Sequence, residues 1–540
     1  MNASAQALPT VIAQRAAQTP DAPYVISAEN GSIWTYRDAH QDIQRWARAL
    51  RRAGIRAGDT VLTMMPPQVD AVAAWLGIAQ LRALEVPVNV EYIGSMLTYI
   101  IEDSSASIMV VHENYLPAVL QASSDQLRTI VVVGSSPIDT ATSVELVSSA
   151  DFLARAEGDV DSFEDPQGRD TAAIIYTSGT TGPSKGVLVT WRQAELTATG
   201  IMPSELFDSA DAFYSPFPIF HMSGKGPLFA CALVGARVIM RQRFNTTEFW
   251  SDVAEYGATT TILLGAMANF LYQQPAAPGD RTTPLRDAMF LPLIDDLDGF
   301  SERFGVRART TFNMTETACC ILSDGYNLAN TTSCGRIRPG FDARVVDPDD
   351  REVAPGELGE LVLRSDEPWT LMNGYWGKPE ATVDAWRNQW LHTGDGFTRD
   401  AEGNFYFVDR IKDAIRRRGE NISSAEVEAL VLTHPDVLEC AAIAVPADVG
   451  EDEVKIVLVL QPDRELAPET LDEYLAARMP RFMIPRYIEI VDELPKTPTQ
   501  KIRKVELRKV GVSPSTWDRR STAPSTWDQR KPGSRGAEPR

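Results

Sequence analysis

Apolar residues in this chain gather into short runs of four or five, separated by longer stretches in which they recur every third or fourth position. The runs Tyr24-Val25-Ile26 and Trp34-Thr35-Tyr36 predict a short strand-and-turn element, and Ile43, Trp46, Ala47 and Leu50 have the spacing of one helix face. After a turn at Gly58-Asp59, Val61–Met65 predicts a buried parallel strand and Val69–Leu81 an apolar helix, with further strands at Val86-Pro87-Val88 and Ile108–Val111. Strands alternating with helices predict a doubly wound α/β sheet. Ala172–Tyr176, Val187–Val189, Val238–Met240 and Thr260–Leu264 supply four more strands, while the acidic, turn-rich stretch Asp151–Arg169 reads as a surface connection. Near the C-terminus a helix over Ser424–Thr433 and strands over Cys440–Val445 and Val454–Leu460 describe a small α+β unit.

Composition narrows the picture. At 540 residues the chain exceeds what one core organises, so three or more packing units are expected. The net charge of −21 disfavours general binding to nucleic acid or anionic lipid, both of which require a basic surface. No apolar run reaches the roughly 18 residues of a membrane span, and the N-terminus shows no secretory signal, so a cytoplasmic location is expected. Cys231, Cys319, Cys320, Cys334 and Cys440 have neither metal-site spacing nor an even count, which predicts buried thiols. From residue 512 on the composition turns to Pro, Ser and Arg: Pro514-Ser515-Thr516-Trp517-Asp518-Arg519-Arg520 recurs as Pro524-Ser525-Thr526-Trp527-Asp528-Gln529-Arg530, and 512–540 reads as a disordered basic tail.

The most telling stretch is Tyr176-Thr177-Ser178-Gly179-Thr180-Thr181-Gly182-Pro183-Ser184-Lys185-Gly186, a loop between two apolar runs. Its glycines permit backbone angles that converge amide N–H groups, its hydroxyls add donors and Lys185 adds charge, so it is suited to a polyanion. It lacks the spacing of the common P-loop. Other stretches follow in a fixed order. They are Ser215–Gly224 with His221, Thr310-Thr311-Phe312-Asn313-Met314-Thr315-Glu316-Thr317, Gly356–Leu361, Gly374-Tyr375-Trp376, Trp390–Asp395, Asp409-Arg410-Ile411-Lys412-Asp413, and Pro498-Thr499-Gln500-Lys501.

Together these resemble the adenylate-forming acyl-CoA synthetase superfamily over about residues 8–510, and within it the carnitine/crotonobetaine-CoA ligase-like branch. The resemblance implies a large N-terminal region over 1–408, with doubly wound sheets and a β-barrel-like part, and a small mobile α+β domain over 409–511. It implies that Thr177, Ser178, Gly179, Thr180, Thr181, Gly182 and Lys185 grip the phosphates of ATP, and that Thr315 contacts phosphate. Glu316 is implied as the magnesium ligand, Asp395 as the acceptor for the ribose hydroxyls, and Arg410 as a further nucleotide contact. Lys412 is the implied hinge and Lys501 the catalytic lysine, stabilising charge as an acid oxygen attacks the α-phosphate. A nucleophile, CoA in most of the family, then takes the acyl group.

Three departures bear on the substrate. Phe312-Asn313 stands where the family usually has Tyr-Gly, Trp191 stands where a His is frequent, and Phe290-Leu291-Pro292-Leu293, next to Asp295 and Asp296, replaces a Gly-Gly-Ala-Pro stretch. With His221, Asn313 and Trp191 expected to line the acid pocket, a small or polar acid is favoured over a fatty acid. A diazotase that activates nitrite for an aryl amine, an amide-forming ligase and a non-catalytic nucleotide-binding regulator are the alternatives. The Arg416–Arg418 cluster reads either as a CoA-facing surface or as a solvated face.

Overall fold

The strands of the N-terminal third lie side by side. Thr60–Met64 sits between Leu84–Pro87 and Ile108–His112, and Thr129–Val133 and Glu145–Ser148 extend the sheet, all in parallel register. The helix Tyr36–Arg52 begins where Thr35 accepts a hydrogen bond from the Asp38 amide while the Asp38 carboxylate accepts from the Thr35 amide. Such a reciprocal cap contributes about 1 kcal/mol. The helix buries Ala39, Ile43, Trp46, Ala47 and Leu50, the face its periodicity predicts, and runs alongside the helix Val69–Gln80. This computed structural model describes residues 5–122, 125–135, 144–156, 162–177, 184–294, 296–410, 414–417, 420–447, 451–495, 502 and 504–522.

A second sheet of thirteen strands changes character midway. Ala212–Ser215, Arg237–Met240, Thr260–Leu264, Asp287–Leu291 and Arg307–Phe312 form its parallel half. Beyond Arg307–Phe312 the order continues through Ile321–Leu322, Ser333–Ile337, Asn404–Arg410, Leu391–Arg399, Gly359–Ser365 and Phe341–Val346, all antiparallel. Against this antiparallel half packs the hairpin of Thr171–Thr177 and Lys185–Thr190, whose Ala173, Ile175, Val187 and Val189 share a core with Leu361, Leu363, Phe397 and Phe405. The expected barrel-like part takes this form. Among the described residues, no helix is long and apolar enough to cross a membrane.

The described residues fall into two compact units, the first ending at Arg410 and the second beginning at Ala414. In the second unit Val437–Pro446 and Asp452–Leu460 pair antiparallel, and Tyr487–Ile490 lies parallel to the latter. The reading of 512–540 as disordered needs correction at its start. Trp517–Asp518 pairs antiparallel with Tyr487–Ile490, closing the sheet edge, and a short helix Arg519–Thr522 follows. Isolated charge and a lack of apolar periodicity hid this strand, because it is held by ion pairs and backbone pairing rather than by a hydrophobic face. Residues 523–540 lie outside the described residues.

Candidate active site

Parallel strands deliver their C-terminal ends to one edge, where loops of an open α/β sheet converge on ligands. His221 follows the strand Ala212–Ser215, a cis Leu291-Pro292 bond follows Asp287–Leu291, and Asn313, Thr315 and Glu316 follow Arg307–Phe312. His221 occupies the N-cap of the helix Met222–Val234, its ring tilted against Phe220 at 4.7 Å. The turn entering that helix requires glycine, since a Cβ on Gly224 would lie 2.3 Å from the Pro218 carbonyl oxygen.

The loop Ser178, Gly179, Thr180, Thr181, Gly182 and Pro183 lies outside the described residues, but its two stems are well placed. Thr177 and Lys185 face each other as register partners at the loop end of the hairpin. Segment 372–376 runs beside the outer strand: the Asn373 amide donates to the Leu188 carbonyl, Leu188 to Gly374, and Trp376 to Gly186 at 2.7 Å. Gly186 is tightly enclosed on both sides, as a Cβ there would stand 2.6 Å from the Ile174 methyl across the hairpin and 3.3 Å from the Trp376 Cβ. Tyr375 consequently joins two expected ligands. Its ring lies 4.9 Å beneath the Lys185 ammonium, and its hydroxyl donates to Glu316 Oε1 at 3.0 Å.

Glu316 is also fixed through its backbone. Its carbonyl accepts from the Met372 amide, and the carbonyls of Thr315 and Thr317 on either side both accept from Gln193 Nε2 at 2.8 Å. Asn313 Oδ1 accepts a long 3.4 Å bond from the Thr317 hydroxyl within the same turn. Phe312, in contrast, turns into the core and meets Phe397 edge-on at 4.9 Å. Asp103 anchors the hairpin from the first sheet's side. It accepts from the Tyr176 hydroxyl at 2.6 Å and from Lys378 Nζ at 2.6 Å, while its carbonyl accepts from Trp376 Nε1. The Lys378 ammonium is held above its usual range by that carboxylate, and burial followed by the Asp103 bond raises the Tyr176 phenol.

Asp395 lies buried on the antiparallel half, only 3 % exposed, and its register partner across the strands is Arg410. The two expected nucleotide ligands are thus backbone neighbours. Thr393 shapes the approach by donating to the Leu361 carbonyl and accepting from the Asp395 amide, and Gly394 turns with φ +73°. Glu360 accepts from the Gly394 amide and contacts His392 at 2.9 Å.

Several expectations change. Trp191 has no exposed surface; it stacks on Trp75 at 5.8 Å and meets Phe229 at 5.9 Å, so it belongs to the core rather than to a pocket wall. Asp296 is the N-cap of the helix Leu297–Phe304, accepting from the Gly299 amide and the Tyr272 hydroxyl, and Asp295 lies outside the described residues. The buried Arg417 pairs with Glu453 at 2.6 Å and is structural in the second unit, whereas Arg416 is exposed and pairs with Glu451 at 3.1 Å, and Arg418 lies outside the described residues. Lys412 and Lys501 lie outside the described residues. The thiols of Cys231, Cys319, Cys320 and Cys440 are buried and Cys334 is half-buried; burial pushes Cys319 up to about 11 and Cys320 to about 12. Tyr375, Gln193 and Asp103 escaped the sequence reading as individual residues, although Gly374-Tyr375 lay in a stretch it singled out.

The described residues form a two-unit α/β protein in which a hairpin packed on the antiparallel half of the large sheet brings Lys185, Tyr375 and Glu316 together. Comparison with known proteins makes the class specific. The AMP-binding enzyme family matches residues 12–376, and the AMP-binding enzyme C-terminal domain matches 426–501, so the chain belongs to this adenylate-forming family. A crotonobetaine/carnitine–CoA ligase of Salmonella arizonae is 32 % identical over 486 residues, covering 88 % of this chain and 93 % of that protein. Among solved structures, a Mycobacterium tuberculosis fatty acyl CoA synthetase is 27 % identical with a TM-score of 0.67, over 93 % of this chain and 98 % of the other. The o-succinylbenzoate CoA synthetase of Bacillus subtilis, a double mutant, shares the fold with a TM-score of 0.80 at 23 % identity, over 93 % of this chain and 99 % of the other.

Proposed function

We propose that this enzyme activates a small or polar carboxylic acid as its acyl-adenylate and then transfers the acyl group to CoA. The observation that carries the reading is the Lys185–Tyr375–Glu316 cradle at the stem of the phosphate loop. An ammonium and a carboxylate held through one tyrosine suit a phosphate chain that brings its own cation. Among the described residues no cluster of three or more His, Cys, Asp or Glu could hold a metal alone. Magnesium needs only one or two carboxylates when phosphate oxygens complete its shell, so Glu316 fits it. When bound, that ion neutralises charge on the phosphates.

In this reading Thr177, Ser178, Gly179, Thr180, Thr181, Gly182 and Lys185 orient the phosphates, and Thr315 contributes a hydroxyl. Asp395 and Arg410 hold the ribose. A carboxylate oxygen of the substrate attacks the α-phosphorus, the new P–O bond forms, and pyrophosphate leaves with the electrons of the broken bond. Lys501 offsets the charge that develops. Rotation of the small domain about Lys412, where the chain passes between its two units, then removes Lys501 and admits the thiol. The CoA thiolate attacks the carbonyl carbon and AMP departs. His221 and Asn313 bound the acid side. Asn313 in place of a glycine shortens that side and makes it polar, and the Salmonella relative is likewise named for two small polar acids, crotonobetaine and carnitine.

Lys501→Ala is expected to lower adenylate formation by about 10²–10³-fold while ATP binding persists. Near-normal adenylation would overturn the assignment. Incubation with Mg-ATP, a panel of acids including nitrite, and either CoA or aryl amines, followed by mass analysis, identifies the products. An acyl-CoA supports the proposal, whereas an amide or a diazo product selects an alternative.

A further inference from the structure

The repeat in the tail has no place in the adenylating chemistry, yet its first copy is bound in detail. Trp517 and Asp518 add a strand to the edge Tyr487–Ile490. Trp517 Nε1 donates to Glu469 at 2.7 Å, and Arg486 grips Asp518 through Nε at 3.2 Å and Nη2 at 3.0 Å. Ser513 donates to Glu489 Oε1, Ser515 donates to the same oxygen at 2.9 Å, and Arg519 pairs with Asp472 at 2.9 Å and Arg520 with Glu453 at 2.6 Å. Every anchor on the receiving side belongs to the strand Tyr487–Ile490, the helix Pro468–Ala476, or the adjoining Arg486 and Glu453.

Ten residues on, the sequence offers the same groups again. Ser525, Thr526, Trp527, Asp528 and Arg530 repeat Ser515, Thr516, Trp517, Asp518 and Arg520, whereas Ala523 and Gln529 stand in for Ser513 and Arg519. The receiving edge reads backbone, an indole N–H, a carboxylate, a hydroxyl and a guanidinium, and each of these has its counterpart in the second copy. Only the Glu489–Ser513 and Asp472–Arg519 contacts lack one. We propose that this edge is a two-register dock, which takes the segment Ser525–Arg530 of the same chain in exchange for Ser515–Arg520.

The bias follows from the differences. Two missing partly exposed contacts weaken the second register by about tenfold. Ten extra residues in the loop add little, because closure entropy grows only logarithmically with length. Tethering gives the chain's own second copy an advantage over any copy from another molecule. An empty edge is disfavoured in either case, since it would expose unpaired strand groups. The exchange acts on the helix Lys504–Val510. In the first register its end is held twice, through Lys455 bonded to the Gly511 carbonyl and through the dock immediately beyond. In the second register ten residues of slack separate Gly511 from the dock, and only the Lys455 anchor remains close by.

Hydrogen exchange on the full chain tests the dock, with peptides spanning Tyr487–Ile490 as the readout. Three variants are compared with the parent: Trp517→Ala/Asp518→Ala, Trp527→Ala/Asp528→Ala, and all four together. The second-copy variant is expected to match the parent, and the fourfold variant to lose protection. The first-copy variant is expected to fall about tenfold below the parent yet stay above the fourfold variant, independently of protein concentration. Equal exchange in the first-copy and fourfold variants would overturn the proposal, as would parental protection in the fourfold variant. Protection in the first-copy variant that grows with concentration would assign the occupant to a second molecule and refute exchange within the chain.

Discussion

Two lysines of the large unit face aromatic rings in opposite circumstances. Lys225 lies 3.6 Å over Trp75 and bonds Glu85 at 2.6 Å, with their side chains only 1 % and 2 % exposed, and Thr63 donates to the same carboxylate. Burial lowers the proton affinity of the lysine and raises that of Glu85, while each partner's charge pulls the other back. That region is sealed, with Trp75 stacked in turn on Trp191. Lys185 is half-buried at a loop stem, and its aromatic neighbour passes the contact on to Glu316 rather than closing it off. Similar chemistry therefore serves packing where the counter-ion is built in; where the carboxylate is reached only through a ring, as at Lys185, it fits the ligand-binding role proposed above.

The largest expected effect breaks this contrast from the sealed side. Lys225→Ala leaves a buried carboxylate without its cation and should destabilise the protein by about 3–5 kcal/mol, whereas Lys225→Met combined with Glu85→Gln should recover most of that in thermal unfolding. Lys185→Ala is expected to do the reverse, lowering adenylate formation by about 10²–10³-fold with little change in melting temperature. Similar melting losses in both single variants would erase the distinction.

A smaller effect separates two residues that the sequence alone places in one pocket. Asn313→Gly should raise activity toward longer acids relative to short ones by about tenfold, while Trp191→Phe should leave that ratio unchanged and act only on stability. A shift in selectivity from the tryptophan variant would return it to the pocket. Smallest is the effect of Tyr375→Phe, which keeps the ring beneath Lys185 but removes the bond to Glu316. The magnesium concentration giving half-maximal nucleotide binding, measured by calorimetry, should rise about three- to tenfold, with metal-free nucleotide affinity unchanged. Equal losses with and without metal would mean that Tyr375 acts only through packing.

Much of this protein was legible in its sequence because the signals are local. Amphipathic spacing marks the helix Tyr36–Arg52, unbroken apolar runs mark strands such as Ile108–His112, and the hydroxyl- and glycine-rich loop marks the proposed phosphate site between two apolar strands. Thr315, Glu316 and Asp395 could be singled out because each sits in a short stretch of distinctive order. What only the tertiary structure decided concerns partners distant along the chain. Trp191 was assigned to a pocket because chain proximity to the loop suggests spatial proximity, but the helix it begins turns it toward Trp75, 116 positions earlier. Tyr375 reaches Glu316 only because segment 372–376 lies against the hairpin. Trp517 and Asp518 acquire order only from the edge they meet. Residue type and local period determine which elements form and which groups can carry charge; whether a given lysine is sealed by Glu85 or left facing a loop depends on contacts across the folded chain that no local pattern encodes.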